Sequence, residues 1–487
     1  MDEPGDLGAL IGAMGTVTVL CIGDVMLDRF IYGEVERISP EAPIPVLRVG
    51  GETAMLGGAG NVAANLAGLG AGCRFVAAIG ADRAGEQVAE LVAAGIGPAD
   101  GLVVEPGRQT TIKTRFVAGS QQLLRADRET TATIADATAD RLLAAVEAAL
   151  PQCAAVVLSD YAKGVLTPAL VGRVLDAARA AGRPVVVDPK GRDFVRYRGA
   201  AVLTPNRREL AEATGLPTGD DDQVERAARR ALADSGVAAL VATRGEQGMS
   251  VVPADGPAVH LHGEAREVFD VSGAGDTVVA TITAALAAGG PLADAARLAN
   301  LAGGIVVGRV GTAPIHAEDL AAAVRHQRWA RGEAKVLEPP PALERVRRWR
   351  AEGRRVGFTN GCFDLLHPGH LSLLHQARAA CDRLVVGLNT DASVRRLKGD
   401  GRPVQDETAR AAVLASLEVV DLVVPFGEDT PLRLIDLFRP EVLIKGADYT
   451  VDQVVGADLV QGYGGRVVLA RLAPGHSTTA TIRRLAR

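Results

Sequence analysis

Two stretches of this chain hold residue types that could handle phosphate. The first is DVSGAGDTVVATITAAL (270–286), where Gly273-Ala274-Gly275 opens a helical pattern whose first turn carries Asp276. Small residues let backbone N–H groups approach an anion, and the helix dipole favours negative charge there. An aspartate at the same helix start can take a hydroxyl proton while those N–H groups hold a transferring phosphoryl group. The blander reading is an Asp-capped helix start. The second stretch is GCFDLLHPGHLSLL (361–374), with His367 and His370 three apart and Pro368-Gly369 between them.

Pro368 fits the first turn of a helix, where its missing N–H costs nothing, so the two histidines flank a helix N-terminus. Three chemistries compete there. Cys362, His367 and His370 offer three zinc ligands, but no fourth ligand cluster follows nearby. Capping and packing histidines are the plain alternative. Imidazole donors at a helix start would stabilise charge growing on an α-phosphate as pyrophosphate leaves. For this third chemistry the chain supplies further parts. LKGDGRPV (397–404) is Gly-rich and carries Lys398 and Arg402. IKGADYT (444–450) puts Lys445 just past a strand. GHSTTATIRRLAR (475–487) opens a last helix with Ser477, Thr478 and Thr479, whose N–H and hydroxyl groups can hold phosphates.

Two more stretches belong with Asp276. In LGGAGNVAANLAGLG (56–70), the string GAGNVA matches a dinucleotide fingerprint only formally, because GGETAML before it does not read as a buried strand. A small-residue turn that lets Asn61 reach a polyhydroxy substrate fits better. In LTPNRREL (203–210), Asn206 and Glu209 lie one helical turn apart and could orient a Mg²⁺ through water near phosphates. An Asn cap followed by a surface Glu is the alternative. The dipeptide Gly-Lys does not occur, which excludes a P-loop.

These residues need scaffolds, and the pattern predicts them. Short β-branched runs at 16–23, 154–160, 184–190, 238–245, 354–361, 383–391 and 441–448 alternate with Ala/Leu-rich helical stretches. Continuous apolar strands separated by helices mean parallel sheets covered on both faces. Several runs end in polar or Gly residues, where ligands of open α/β sheets bind. VVATITAALAAGG (278–290) reads as a buried helix. At 487 residues the chain is too long for one ordinary core. Pro339-Pro340-Pro341 interrupts the pattern and places a linker over 331–352, between domains at 1–330 and 353–487.

Composition narrows the class. Hydrophobic residues make up 48% and charged residues 23%, as in soluble globular proteins. The net charge of −5 argues against nucleic-acid or anionic-membrane partners. The five cysteines form no C-x-x-C pair, which fits reduced thiols in the cytoplasm. The N-terminus is acidic and lacks the basic start of a signal peptide, and no apolar run reaches the roughly 18–20 residues of a membrane helix.

In order along 15–325, Gly23-Asp24, GGAGNVA, NxxE and GAGD together resemble the ribokinase-type carbohydrate kinases. The resemblance implies a three-layer α/β/α domain with a small β-lid. It implies Asp276 as base, an anion hole at Gly273, Ala274 and Gly275, and an ATP site at Asn206, Arg207, Arg208 and Glu209 with Lys190, Thr243 and Gly245. Sugar contacts are implied for Asp24, Asp28, Gly57, Gly58 and Asn61. Lid segments near 29–50 and 108–126 would mediate a homodimer. RISPEAPIPV, SDYAKGVLT and DPKGRDFVRYRGA look like heptose-7-phosphate kinases of lipopolysaccharide synthesis, whose phosphorylated substrate would suit Lys163, Lys190 and Arg192. GCFDLLHPGH, LKGxxRPV, KGADY and GHSTT resemble the HxGH nucleotidyltransferases, a Rossmann-like parallel α/β group. The match is closest to the adenylyltransferase half of the bifunctional heptose enzymes. There His367, His370, Lys445 and Ser477–Thr479 would bind the triphosphate with Phe363, Asp364, Lys398 and Arg402, and Asn389 and Asp391 would lie near nucleotide or sugar. His476 receives no role. The implied substrates are ATP with Mg²⁺ and heptose phosphates. A related fusion acting with CTP on another alcohol phosphate is the rival within enzymes, and a binding regulator without turnover the rival outside them.

Overall fold

The β-branched runs form strands where their spacing predicts them. The computed structural model describes residues 6–119, 121–263, 270–309, 311–333, 335–399, 401–446 and 450–471. The chain divides into two compact units, Met1–Val324 and Arg325–Arg487.

In the first unit, the described residues form a nine-stranded sheet. Thr18–Gly23 lies between Gly72–Gly80 and Ala155–Ser159, and Val185–Asp188, Val202–Leu203 and Ala239–Thr243 extend the parallel array beyond the latter. Leu102–Glu105 closes one edge in parallel, and Met249–Pro253 and Val259–Leu261 add antiparallel strands at the other. Val156, Val157 and Leu158 are wholly buried because helices cover both faces. The strand order reverses beside Thr18–Gly23: the chain first builds toward Gly72–Gly80, then returns to Ala155–Ser159. Such a switch point opens a crevice beyond the strand ends.

A separate four-stranded sheet forms the lid. Val25–Ile38 pairs antiparallel with Pro45–Gly58 and parallel with Thr111–Ala118, which pairs with Gln121–Arg128. GGETAML is strand, but not a buried one, in keeping with its reading in sequence. It belongs to the half-exposed lid, and it delivers Gly57 directly into the helix Ala59–Gly68.

In the second unit, the described residues form a five-stranded, all-parallel sheet in the order Leu422–Phe426, Arg383–Asn389, Val356–Gly361, Val442–Gly446, Arg466–Ala470. Its switch point lies between Val356–Gly361 and Val442–Gly446. The triple proline does not make a linker. Pro339, Pro340 and Pro341 occupy the first turn of a helix, Pro339–Ala351, whose Ala342 and Val346 are buried against Phe358 and Leu443. First-turn residues have no intrahelical acceptor for their N–H, so three prolines are tolerated there. Among the described residues no helix is long and apolar enough to cross a membrane.

Candidate active sites

Asp276 sits in the first turn of Ala274–Ala287 and is buried. Gly273 precedes the helix at φ +79°, and a Cβ there would lie 2.5 Å from Asn61 Nδ2. The turn needs glycine twice over: for the left-handed backbone and for the room Asn61 takes. Asn61 Nδ2 donates to Asp276 Oδ2 at 2.8 Å, and Tyr161 OH donates to Oδ1 at 2.7 Å. Asn65 holds Asn61 in turn, donating to its Oδ1 at 3.1 Å, while Thr277 Oγ1 donates to Asn65 Oδ1. Burial pushes the Asp276 carboxyl up to about 6, against the pull of the Tyr161 and Asn61 hydrogen bonds; Asp28 adds to the rise and Lys113 opposes it. A carboxylate at that value is ionised at neutral pH yet basic enough to take a proton.

Two residues expected from sequence to contact sugar, Asp24 and Asp28, are engaged within the protein. The Asp24 carboxylate accepts the N–H groups of Tyr161, Lys163 and Val165 at 2.8, 3.0 and 3.1 Å, which folds the 160–165 loop across the switch point. Asp28 is buried in an ion pair with Arg115 at 2.6 Å that ties two lid strands together. Gly57 lets that carboxylate in, since a Cβ would stand 2.3 Å from Asp28 Oδ2.

Asn206 and Glu209 form a capping box: Asn206 Oδ1 accepts the Glu209 N–H, and Glu209 Oε2 accepts the Asn206 N–H. Glu209 Oε1 also accepts Lys190 Nζ at 2.6 Å. The cap reading holds, except that Glu209 is buried rather than a surface residue, and its carboxylate borders a cleft of ≈ 140 Å³ with Asp160, Tyr161, Asp188, Lys190, Thr204, Thr243 and Gly275. Thr243 and Gly275 also line a larger, mainly apolar cavity of ≈ 610 Å³ with Gly245, Ala274, Val278, Asn300, Gly303 and Gly304. Arg208 does not join it; its guanidinium pairs with Glu212 one turn on, at the exposed surface. Arg207 reaches Gln247, Lys163 pairs with Glu129, and Arg192 is exposed.

In the second unit, His367 caps the helix Pro368–Ala379 with Pro368 at its first position. The two imidazoles stack, with centroids 3.8 Å apart and planes 17° from parallel. Phe363, buried at φ +43°, packs its ring 5.2 Å from His370. His370 is held down to about 4, first by burial, then by the neighbouring His367 and Lys398 charges. It is therefore neutral at pH 7, and its buried Nδ1 has no hydrogen-bond partner among the described residues. A cavity of ≈ 480 Å³ at the switch point is lined by Asn360, Phe363, Asp364, His370, Lys398 and Lys445, among others. Lys445 Nζ donates to Asn360 Oδ1 at 3.0 Å, and burial lowers its proton affinity.

Asp364, which lines that cavity, is paired with Arg402. Asp364 accepts the Arg402 guanidinium and the N–H groups of Val404 and Gln405. Burial works against that carboxylate, but these donors keep it ionised below the usual range. The pair shapes the loop that carries Lys398 and Arg402. Arg410, which sequence reasoning passed over, ties the site together. Its side chain is wholly buried and donates to Cys362 O (2.6 Å), Asn389 O (2.9 Å), Asp391 Oδ1 (2.6 Å) and Gln405 O (3.1 Å). Asn389 and Asp391 are thus bound to the framework. Ser477, Thr478, Thr479 and His476 lie outside the described residues.

Among the described residues no three His, Cys, Asp or Glu side chains converge as metal ligands. The oxygen donors of the small cleft, Asp188 and Glu209, nonetheless suit a hard divalent cation that keeps most of its waters and takes its other ligands from phosphates.

Residues 17–318 match the model of the pfkB family carbohydrate kinases, and residues 358–482 that of the cytidylyltransferase-like family. The "Bifunctional protein HldE" of Rhodospirillum rubrum is 61% identical over 485 residues, covering 100% of this chain and 98% of the relative. That of Caulobacter vibrioides is 57% identical over 480 residues, covering 98% and 99%. Among solved structures, phosphofructokinase-2 from Escherichia coli in complex with potassium aligns with 64% of this chain and 98% of its own at TM-score 0.54 and 21% identity. Arabidopsis thaliana ribokinase aligns with 63% and 98% at TM-score 0.51 and 20% identity. These two share the fold of the first unit. With both halves matched end to end, the chain belongs to the HldE family of bifunctional proteins, a pfkB-type carbohydrate kinase joined to a cytidylyltransferase-like domain.

Proposed function

We propose that each unit of the chain carries one active site of a bifunctional heptose enzyme. The first unit phosphorylates O1 of D-glycero-β-D-manno-heptose 7-phosphate with ATP, giving the 1,7-bisphosphate. The second joins AMP from ATP to heptose 1-phosphate, giving ADP-heptose and pyrophosphate. The observation that carries this reading is the joining of a buried Asp276 at a glycine-opened helix start with a stacked His367–His370 pair at another, in one chain.

In the kinase site, Asp276 accepts the O1 proton as that oxygen attacks the γ-phosphorus, and the bond from the γ-phosphorus to the bridging oxygen breaks to release ADP. The first-turn N–H groups at Gly275 and Asp276 have no acceptor within the helix and hold the phosphoryl oxygens. The 610 Å³ cavity takes the adenosine, and the 140 Å³ cleft takes the phosphates beside Lys190. Mg²⁺, held through water by Glu209 and Asp188, would neutralise phosphate charge when bound. In the second site an oxygen of the sugar phosphate attacks the α-phosphorus and the bond to pyrophosphate breaks. His367, His370 and Lys445 supply N–H donors that stabilise the charge on the phosphates. Lys398 adds a cation at the cavity's rim. Exposed Ile38, Ile44, Val49 and Leu124 on the lid support a homodimer through that sheet, and the enzyme works in the cytoplasm.

The test incubates the full chain with MgATP and either heptose 7-phosphate or heptose 1-phosphate, and identifies the products. The bisphosphate from the first and pyrophosphate with ADP-heptose from the second are expected. Pyrophosphate released from CTP but not ATP would replace the second assignment. Sedimentation at micromolar concentration checks the dimer.

A further inference from the structure

Tyr161 belongs to the kinase centre, yet the string that contains it, SDYAKGVLT, gives it no role in the sequence reading. Its hydroxyl donates to Asp276 Oδ1 at 2.7 Å while Asn61 occupies Oδ2, so the base is gripped at both oxygens. The residue is itself held from several sides. Asp24 accepts its backbone N–H at 2.8 Å. Ala162, next in the chain, adopts φ +54°, a left-handed turn fixed by its N–H bond to Asp160. Lys113 Nζ, on the lid strand, lies 5.5 Å over the Tyr161 ring. The ring also lines the 140 Å³ cleft beside Gly275. A tyrosine needed only for packing would have no reason to aim its hydroxyl at the one buried carboxylate that must change protonation.

We infer that Tyr161 is a positioning residue of the phosphoryl transfer, its hydroxyl fixing the orientation of the Asp276 carboxylate and stabilising its ionised form. Hydrogen bonds to a carboxylate favour the charged state, and they are stronger than neutral ones. Burial and the Asp276 charge push the phenol itself well above its ordinary range, so it stays protonated and acts as donor only. The inference rests on the reading of Asp276 as the kinase base. Other groups also face that carboxylate: Asp28 and Lys113 from the lid, Asp188 from the end of Val185–Asp188, and Cys21 from Thr18–Gly23. All of them persist in a Tyr161→Phe variant, so a change in pH response isolates the lost hydroxyl.

The experiment compares the full chain with Tyr161→Phe and Asp276→Asn, measuring kcat/KM for sugar phosphorylation from pH 5 to 9. Adenylyl transfer by the same preparations reports that the chain is folded. Removing the donor raises the proton affinity of Asp276, so the acid limb of the Tyr161→Phe profile moves to higher pH. For a shift of about one unit, the pH-dependent part of the loss is about ten-fold at pH 5 and fades above pH 8. An unmoved limb, with or without a uniform loss, overturns the inference and leaves Tyr161 a packing residue. If Asp276→Asn retains phosphorylation, the kinase reading itself falls; if it abolishes phosphorylation while the Tyr161→Phe limb stays put, only the role of Tyr161 falls.

Discussion

Replacing Arg410 by Met tests how the second site is held together. The guanidinium is wholly buried and supplies hydrogen bonds to three carbonyls, of Cys362, Asn389 and Gln405, and to the Asp391 carboxylate. These acceptors lie at the ends of Val356–Gly361 and Arg383–Asn389 and in the loop after Arg402. Methionine fills much of the volume but donates nothing. A buried acceptor stripped of its donor costs about 1–3 kcal/mol. Asp391 is partly exposed and recovers water, so the three carbonyls dominate, and removal of the guanidinium's own burial cost offsets part of the sum. The net loss is about 3–5 kcal/mol, the range found when one partner of a buried polar pair is removed. For a unit of this size each kcal/mol lowers the midpoint by about 2–4 °C, so a drop of about 10 °C is expected. Heat challenge followed by separate assays reads it: adenylyl transfer is lost at the lower temperature, while phosphorylation by the first unit keeps its own midpoint. Arg208→Ala, which removes only an exposed i,i+4 pair, serves as control and leaves the midpoint unmoved. A methionine variant within about 0.5 kcal/mol of the parent, with adenylyl transfer intact, would refute the hub assignment.

Three further outcomes follow from the geometry. Asp276→Asn lowers phosphorylation by about 10²–10⁴-fold, the usual worth of a general base, and leaves adenylyl transfer unchanged; in the parent, kcat/KM for phosphorylation falls below pH about 6, where Asp276 protonates. Gly273→Ala puts a Cβ 2.5 Å from Asn61 Nδ2 at a positive φ, so phosphorylation drops with little change in the second activity, as coupled assays on the full chain would register. His370 is neutral in the free protein down to pH about 4, below its unfolded value near 6.5. The unfolded chain binds that proton first, so the stability this group contributes is complete above pH 6.5 and is lost as pH falls toward 4; imidazole NMR titration, with and without ATP, checks the value, and bound triphosphate raises it.

The parts of both sites that were legible in sequence are those written as local chain geometry. GAGD needs small residues beside an acid, HPGH needs a proline at a helix start, and NxxE is a capping box. Such signals survive in a one-dimensional string because the interacting residues are neighbours. The strands were legible for the same reason, since burial on both faces leaves continuous β-branched runs. GGETAML does not read as a buried strand and is a half-exposed one in the lid, whereas the triple proline misled because proline's rule reverses in a helix's first turn.

Tyr161 and Arg410 illustrate a deeper reason for silence. Tyr161 meets a carboxylate 115 residues away, and Arg410 reaches back 48 residues to Cys362. Both contacts exist only because parallel sheets bring distant strand ends together at a switch point, one beside Thr18–Gly23 and one beside Val356–Gly361. A motif can place a base or a phosphate donor on a helix start; it cannot say which side chain from the neighbouring crossover will fix that group's orientation. Each unit solves this the same way. Asp24, at the end of Thr18–Gly23, organises the loop that presents Tyr161, and Arg410 clamps the ends of Val356–Gly361 and Arg383–Asn389 beside the histidine pair. In both, a buried charge satisfied by backbone groups converts sheet topology into the fixed geometry that phosphoryl and nucleotidyl transfer require.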